Sequence, residues 1–436
     1  MLEVASTASA PSPLHRAVQH AQTSCIKCGF CLPKCPTYRL TGNEAASPRG
    51  RLDLLYLVAQ GELAATDIAA ALDFCLGCRA CETACPAGVA FGELLVAGRA
   101  TVTAAHPKPW LVRWLLCRLV PSPAGLRVAA LFLRLYQASG MQKLLRASGL
   151  WRLAPALGAR EALLPPLPPW RTWRRLPAVT PAVGTGKGTV ALLTGCVVPV
   201  LLPQLNQATV QVLARNGYRV LVPAGQRCCG ALQAHAGELE AARQLARHHL
   251  ALFEAAGADW VISNAAGCGA MLKEYGELLR DDPRFAERAA AFSARVRDVS
   301  ELLASAPLRG PLAPLPLRVA YDDPCHLLHG QGIAAPPRQL LRQVPALELL
   351  EVPESDWCCG SAGIYNLVHP EMAQQLLERK LRHLAALRPQ VIATGNPGCI
   401  VQLRYGATRH GLAAEVLHPV EVLARAYGEA AGAPQP

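Results

Sequence analysis

Two short stretches of the chain carry cysteines at one repeated spacing. CIKCGFCLPKCP and CLGCRACETACP both read C-x2-C-x2-C-x3-C-P. Their cysteines are Cys25, Cys28, Cys31, Cys35, Cys75, Cys78, Cys81 and Cys85. Thiolates are soft ligands, and four of them suit zinc or an iron–sulfur cluster. The repeated spacing therefore predicts that both stretches bind metal.

The spacing favours clusters over zinc. Structural zinc sites usually pair one C-x2-C knuckle with a distant ligand pair, whereas C-x2-C-x2-C surrounds one object larger than an ion. The fourth cysteine, followed by proline, matches the bacterial ferredoxin run, in which it ligates the other cluster. We therefore predict two [4Fe-4S] clusters with exchanged ligands, and two zinc knuckles are the alternative. The first set is Cys25, Cys28, Cys31 and Cys85, and the second is Cys35, Cys75, Cys78 and Cys81.

A second cysteine pattern occurs twice in the C-terminal half. Cys196, Cys228-Cys229-Gly230 and Cys268 recur as Cys325, Cys358-Cys359-Gly360 and Cys399, at offsets of 129, 130 and 131 residues. Each copy contains a strand-like apolar run, a long helical pattern after CCG, and a second strand-like run. Such alternation predicts an α/β repeat whose cysteines lie at the carboxyl edge of a parallel sheet. A near-constant offset indicates a duplicated domain.

These patterns predict a multidomain α+β chain, with an N-terminal α-helical two-[4Fe-4S] ferredoxin-type domain before a duplicated α/β CCG domain. The predicted domains are residues 1–105 for the clusters, 106–186 for a basic helical segment with a Pro/Gly-rich linker, 187–310 for the first CCG repeat and 311–436 for the second CCG repeat. Helical spacing of Leu52 and Leu55, and again of Ile68 and Leu72, predicts two short helices between the cysteine stretches.

The CCG repeats are candidates for a further metal site. A glycine after two adjacent cysteines permits a tight turn that aims both sulfurs at one object. The candidate ligands are Cys325, Cys358, Cys359 and Cys399 in the second CCG repeat, and Cys196, Cys228, Cys229 and Cys268 in the first. The alternatives are that a repeat binds zinc or binds nothing.

Composition limits the classes of function. The chain has 436 residues, is 51% hydrophobic and 17% charged, and carries a formal charge of +12. Bound clusters offset part of this charge, since each oxidised cluster with four thiolates carries about two negative charges, so we predict no nucleic-acid partner. The N-terminus has no signal-peptide core, which predicts a cytoplasmic location, where 17 cysteines favour metal over disulfides.

The basic segment, Thr101–Arg160, holds nine Lys and Arg residues and no Asp or Glu. Tryptophan and leucine are interleaved with these charges. No run reaches the roughly 18 uncharged apolar residues of a spanning helix, so we predict no transmembrane helix. Basic helices with an apolar face lie on anionic membrane surfaces, and packing against a partner subunit or against the chain's own core is the equal alternative.

The sequence offers no catalytic residues of its own. It contains no Ser-His-Asp set, no paired carboxylate signature, no Walker loop and no G-x-G-x-x-G for a dinucleotide. An electron carrier without a two-electron cofactor needs a partner that has one.

The motifs together resemble the iron–sulfur subunit of glycolate oxidase, also called glycolate dehydrogenase. The resemblance rests on the two cysteine stretches, SPRGR (residues 47–51), DDPCHLLHGQGI, CCGSAGIYNLVHPEMAQQL and TGNPGC. It implies a complex in which FAD-binding subunits oxidise glycolate to glyoxylate, or D-lactate to pyruvate. This chain would pass the electrons towards membrane quinone, as a peripheral subunit on the cytoplasmic side of the inner membrane. The eight N-terminal cysteines match the ligands of the family's two [4Fe-4S] clusters.

Two alternatives remain within related families. One is a catalytic subunit of heterodisulfide-reductase type, whose CCG domains end in C-x-x-C. Here Met271 and Gln402 stand where the last cysteine would be, which disfavours that chemistry. The other is the iron–sulfur subunit of a glycerol-3-phosphate or lactate dehydrogenase.

Overall fold

The computed structural model describes residues 12–428 of the chain. Residues 1–11, part of the stretch in which the sequence predicts no signal peptide, lie outside the described residues. The chain divides into two compact units. One comprises the residues up to 108 together with 234–239, and the other comprises 109–233 and the residues from 240 onwards.

The N-terminal unit is helical around its two cysteine stretches. Its helices are α1 (Pro13–Ser24), α2 (Pro36–Thr41), α3 (Pro48–Gln60), α4 (Ala69–Asp73), α5 (Ala80–Thr83) and α6 (Phe91–Ala105). Leu55, Leu72 and Leu94 are fully buried or nearly so and form its core with Leu52. Helices α3 and α4 are the pair expected between the cysteine stretches. They lie between the two stretches in the sequence, and both pack on α6.

A run of helices follows, covering the basic segment. They are α7 (Trp110–Trp114), a π-helical turn (Leu115–Leu119), α8 (Pro123–Ala138), α9 (Met141–Ala147) and α10 (Pro155–Ala162). An acidic residue just beyond the basic segment connects helix α10 to helix α9. The buried Glu161 accepts hydrogen bonds from Arg146 Nε at 2.9 Å and Gln142 Nε2 at 2.7 Å.

The first CCG repeat is built on a five-stranded sheet in the order β1-β3-β2-β4-β5. Its strands are β1 (Val179–Thr180), β2 (Gly188–Leu193), β3 (Tyr218–Leu221), β4 (Trp260–Ser263) and β5 (Val296–Asp298). Its helices are α11 (Val198–Leu201), α12 (Pro203–Arg215), α13 (Ala231–His235), α14 (Leu239–Ala256), α15 (Ala266–Lys273), α16 (Tyr275–Leu278), α17 (Ala286–Ala294) and α18 (Val299–Ala304). Strand β1 comes from the Pro/Gly-rich stretch and pairs antiparallel with β3, whereas the other strands are parallel.

The second CCG repeat has four parallel strands in the order β7-β6-β8-β9. They are β6 (Arg318–Asp322), β7 (Glu348–Glu351), β8 (Val391–Thr394) and β9 (Glu415–Leu417). The helices are α19 (Cys325–Gln331), α20 (Ala335–Arg342), α21 (Tyr365–Val368), α22 (Pro370–Leu387), α23 (Pro397–Arg409) and α24 (Pro419–Ala426). This order repeats that of β3-β2-β4-β5, which confirms the predicted duplicated α/β fold.

The two CCG repeats share one hydrophobic core and exchange helix contacts. Helix α12 packs on α24, and in the reverse sense α20 packs on α18. One cluster of buried side chains includes Val190 and Leu213 from the first CCG repeat and Leu340 and Leu423 from the second. Because each copy covers an apolar face of the other, the repeats form a single packed body.

Candidate metal centres

The first cavity of the N-terminal unit is bordered by four cysteines from both stretches. These are Cys25, Cys28 and Cys31 from the first stretch and Cys85 from the second. The cavity contains about 320 Å³ of empty space, and Lys27, Gly29 and Arg49 also line it. The sulfurs predicted to form the first exchanged set thus lie around one space.

The second cavity is bordered by the complementary set. Cys75, Cys78 and Cys81 from the second stretch meet Cys35 from the first. The cavity holds about 390 Å³ of empty space and is also lined by Thr37, Arg51 and Phe91. Burial raises the pKa of Cys81 well above its usual value, so a thiolate there needs compensating positive charge.

The two stretches fold into the same local backbone shape. Lys27 and Gly29 have φ values of 56° and 82°, and the corresponding Gly77 and Arg79 have 64° each. Each stretch therefore places left-handed residues on either side of its second cysteine, with glycine at one of the two positions. Backbone turns of this kind turn N–H groups into a concavity that binds anions, including iron–sulfur clusters. The N–H of Gly77 lies 3.4 Å from Cys75 Sγ.

The SPRGR segment connects the two cavities through the start of α3. Ser47 caps the helix by accepting the Gly50 N–H at 3.0 Å. A β-carbon at Gly50 would lie 2.1 Å from the carbonyl oxygen of Glu44, so only glycine fits here. The turn so formed points Arg49 to the first cavity and Arg51 to the second.

The donor sets fit iron–sulfur clusters. Each cavity presents four sulfurs beside arginine side chains, Arg49 in the first and Arg51 and Arg79 in the second. Arg51 Nη1 is buried with no hydrogen-bond partner. Among residues 12–428, no group of three or more His, Cys, Asp or Glu side chains is arranged to hold a metal ion. The sulfurs of each set instead surround one shared space, as the ligands of a cluster do.

The four thiols of the second CCG repeat lie in a row. Hydrogen bonds join Cys325 to Cys358, Cys358 to Cys359, and Cys359 to Cys399, the last pair at 3.4 Å. The bonds from Cys358 and Cys399 hold the pKa of the Cys359 thiol well below its usual value, and the Lys380 charge acts in the same direction. The candidate residues are thus brought together at the carboxyl ends of β6 and β8.

Polar groups surround this second thiol row. His326 Nδ1 and Asn396 Nδ2 each lie 3.4 Å from a sulfur, of Cys325 and Cys399 respectively. Lys380 is 2% exposed, forms a buried ion pair with Asp322 and donates to Ser355 O at 3.0 Å. Burial with a carboxylate partner leaves the pKa of Lys380 raised to about 12, because the attraction to Asp322 outweighs desolvation.

The first CCG repeat has an equivalent thiol row in different surroundings. The row runs from Cys196 through Cys228 and Cys229 to Cys268. The Cys228 thiol lies 3.5 Å from Gln233 Oε1. The pKa is raised well above its usual value at Cys196, by its hydrogen bond to Cys228 and by burial.

The contacts of the CCG glycines show which residues of the two repeats correspond in the structure. Gly230 lies against Ala242 of α14, and Gly360 lies against Ala373 of α22. Seven residues further along each helix, His249 corresponds to Lys380. Counted from the cysteines, three other positions also differ between the rows: Leu193, Val197 and Ala265 in the first CCG repeat correspond to Asp322, His326 and Asn396 in the second.

Sequence reasoning identified the sulfurs but missed the charges beside them. Arg51 and Lys380 are fully buried or nearly so, each close to a cysteine set. A signal for Arg51 was available, because SPRGR is an unusual run between the two stretches. No sequence signal marked Lys380, which lies in an ordinary amphipathic helix.

The basic segment forms a candidate interface. Large apolar side chains are exposed along it, including Trp110 at 79%, Phe132 at 67% and Leu153 at 84%. Across residues 12–428, no single helix is long and apolar enough to cross a membrane. The pair Trp110–Leu119 and Pro123–Ala138, bent by 113°, meets the length and composition requirement only when taken together.

Known protein families match most of the chain. Residues 21–89 match a 4Fe-4S dicluster domain, and residues 190–273 and 319–404 match a cysteine-rich domain called CCG. Residues 108–164 match the linker region of glycolate oxidase iron–sulfur subunits.

Curated relatives extend over nearly the full length. A probable glycolate oxidase iron–sulfur subunit of Bacillus subtilis is 40% identical over 93% of this chain and 94% of its own. The glycolate oxidase iron–sulfur subunit of Escherichia coli is 36% identical over 87% and 89%. Lactate utilization protein A of Halalkalibacterium halodurans is 30% identical over 54% of this chain and 96% of its own.

Proposed function

The chain belongs to the family of glycolate oxidase iron–sulfur subunits, and from this premise we propose that it carries electrons from a flavin-bearing partner oxidising glycolate towards membrane quinone. The supporting observation is the pair of cavities, each bordered by three cysteines of one stretch and one of the other. In this proposal the eight N-terminal cysteines are the cluster ligands, and FAD is held by partner subunits.

The geometry suits electron transfer because both cavities are built from the same two loops. A bound [4Fe-4S] cluster supplies one-electron redox chemistry. The chain holds such groups through thiolates, turns backbone N–H groups towards them, and places Arg49 and Arg51 where they offset negative charge. Residues of this kind set the reduction potential without contacting substrate.

Co-expression with and without the flavoprotein partners tests the role. We expect glycolate-dependent quinone reduction only when this chain is present. Glycolate oxidation by the isolated chain, or full quinone-linked activity without it, would contradict the proposal.

Iron content tests the proposed ligands. The anaerobically purified protein should contain at least about eight iron atoms per chain, as two [4Fe-4S] clusters require. Cys31→Ala and Cys81→Ala should each lose iron, whereas Cys117→Ala, outside all the cysteine sets, should retain it. Zinc in place of iron would overturn the ligand assignment.

D-Lactate is the second candidate substrate for the complex. It is favoured because lactate utilization proteins match about half of this chain. Comparing glycolate and D-lactate as donors to the reconstituted complex decides between them.

A heterodisulfide-reductase type of catalysis is disfavoured because Met271 and Gln402 are buried where a further cysteine would be needed. Gln402 also accepts a hydrogen bond from Asn366 Nδ2 at 3.0 Å.

We further propose that the basic segment docks on an anionic membrane surface. Exposed apolar side chains and nine cationic ones, without an acidic residue between Thr101 and Arg160, support this. Sedimentation with anionic liposomes should decrease at high salt and in Arg113→Gln/Arg118→Gln. Arg280→Gln in the first CCG repeat is the matched control. Salt-independent failure to sediment would favour a partner subunit instead.

A further inference from the structure

Arg51 is a buried cation of the N-terminal unit that has no acidic partner among the described residues. Its side chain is 0% exposed. Nε donates to Ala71 O at 2.8 Å and Nη2 to Thr37 Oγ1 at 3.2 Å, while Nη1 has no partner. Burying a charge is strongly unfavourable unless an opposite charge compensates it. The protein's own side chains leave this charge uncompensated.

The position of Arg51 indicates what compensates it. The residue lines the second cavity together with Cys35, Cys75, Cys78 and Cys81. Thr37 Oγ1, which accepts from Arg51, lies 3.3 Å from Cys35 Sγ. The guanidinium is therefore one hydroxyl group away from a proposed ligand sulfur and borders the same space. An anionic group in that space would supply the missing counter-charge.

Arg49 provides the contrast two residues earlier. It lines the first cavity, but its side chain is 35% exposed and forms an ion pair with Glu44 at 2.6 Å. A paired, solvated cation exerts a weak field, whereas a buried, unpaired cation exerts a strong one because the local dielectric is low. The other cations that line the cavities, Lys27 in the first and Arg79 in the second, are paired with Asp53 and Glu82. The two cavities thus differ by Arg51, a buried cation without an acidic partner.

We propose that Arg51 raises the reduction potential of the cluster held in the second cavity above that of the cluster in the first. A reduced cluster carries one more negative charge than an oxidised one, so a nearby buried cation favours the reduced form. Hydrogen bonds and charge near the sulfurs are established determinants of cluster potential. Arg51 is a tuning residue in this proposal, which rests on the cluster assignment made above.

The wild-type protein provides the first test. A redox titration of the anaerobically purified full chain, followed by electron paramagnetic resonance, should resolve two one-electron midpoints. We expect reduction equilibria that differ at least tenfold, equivalent to 59 mV or more for a one-electron couple. Two clusters with indistinguishable midpoints would overturn this inference but not the proposed function. A protein without clusters would overturn both.

Variants identify the residue responsible. Arg51→Met and Arg51→Gln remove the charge and should shift the equilibrium of the higher-potential cluster at least tenfold towards the oxidised form. Arg51→Lys keeps the charge and should shift it less than threefold. Arg49→Met is the matched control and should leave that cluster within threefold of wild type. If every iron-loaded Arg51 variant retains both wild-type midpoints, the inference is wrong; if one charge variant fails to load iron, the other carries the test.

Discussion

The two CCG repeats present the same thiol row in unlike surroundings. Both rows lie at the carboxyl ends of corresponding strands and pack against corresponding helices. In the second CCG repeat the thiols are accompanied by a buried ion pair, an amide and an imidazole, whereas the first has His249, Leu193, Val197 and Ala265 at those positions.

The two repeats therefore share the strands and helices that position the thiol row but differ in the charged and polar groups around it. Donors and a cation stabilise thiolates and metal-bound sulfurs, and apolar neighbours favour neutral thiols. In the second CCG repeat two thiols, Cys325 and Cys359, have a pKa well below the usual value because of hydrogen bonds from Cys358. In the first CCG repeat the pKa of Cys228 is lowered through bonds from Cys196 and Cys229, and the pKa values of Cys196 and Cys229 are raised. If only one repeat binds metal, the second is better suited.

Metal content gives the largest expected contrast. If the second CCG repeat binds metal beyond the two N-terminal clusters, Cys359→Ala should remove that metal, whereas Cys229→Ala, its counterpart, should leave the total unchanged. Iron and zinc per chain, measured on anaerobically purified protein, decide the matter. Equal losses from both variants would show that the polar surroundings do not govern binding.

Loss of the buried cation should destabilise the second CCG repeat strongly. Lys380→Met leaves Asp322 buried without its partner, which costs about 3–5 kcal/mol. His249→Leu, which removes contacts to Tyr275 Oη and the Arg227 N–H, should cost about 1–3 kcal/mol. Urea denaturation of the full chain, followed by hydrogen exchange in β6 and β2, separates the two effects.

A double substitution sharpens this test. Asp322→Leu/Lys380→Met replaces the pair with apolar side chains, as Leu193 does in the first CCG repeat. It should recover most of the stability lost by Lys380→Met, because exchanging a buried pair for apolar groups is close to neutral. No recovery would mean that Lys380 stabilises the repeat through contacts other than Asp322.

The N-cap residues of α18 and α24 should contribute to stability with opposite pH dependence. Burial raises the pKa of Asp298 to about 7 and lowers the pKa of His418 to about 3. Stability from Asp298 is therefore lost as pH rises from about 4 to 7, and that from His418 is lost as pH falls from about 6.5 to 3, each by at most about 5 kcal/mol. Asp298→Asn and His418→Asn should flatten these dependences in urea titrations across pH; parallel curves for wild type and variants would refute them.

The CCG glycines should give the smallest contrast. A β-carbon at Gly360 would lie 2.6 Å from Ala373 O, and one at Gly230 would lie 3.3 Å from Ala242 O. Both residues have positive φ, so alanine is unfavourable at each. Gly360→Ala should destabilise by about 1 kcal/mol more than Gly230→Ala, as read from urea midpoints. The reverse order would indicate that the tighter contact relaxes easily.

The sequence predicted the duplicated α/β fold because cysteines and glycines punctuate each repeat at constant offsets. It also predicted helices between the N-terminal stretches, because Leu52 and Leu55, and again Ile68 and Leu72, stand at helical spacing. It did not predict β1, since a two-residue strand in a Pro/Gly-rich stretch has no periodicity.

The charges beside the thiols could not be predicted for a different reason. His249 and Lys380 correspond only after one residue is inserted between CCG and the following helix, and the contact of glycine with that helix fixes this register. Arg51 resembles any basic residue in a helix until its burial and its unpaired nitrogen are seen. Local sequence carries the ligand pattern, but tertiary packing decides which charges reach the ligands.

The exchange of helices between the CCG repeats also bears on how the chain is made and degraded. When only the first CCG repeat has emerged from the ribosome, α12 and α18 lack their partners α24 and α20. Their apolar surface therefore stays exposed until the second CCG repeat has been synthesised. Proteolytic nicking between Ser305 and Arg318 would not liberate two viable halves. Cellular quality control should therefore retain or degrade the two CCG repeats together, as one unit.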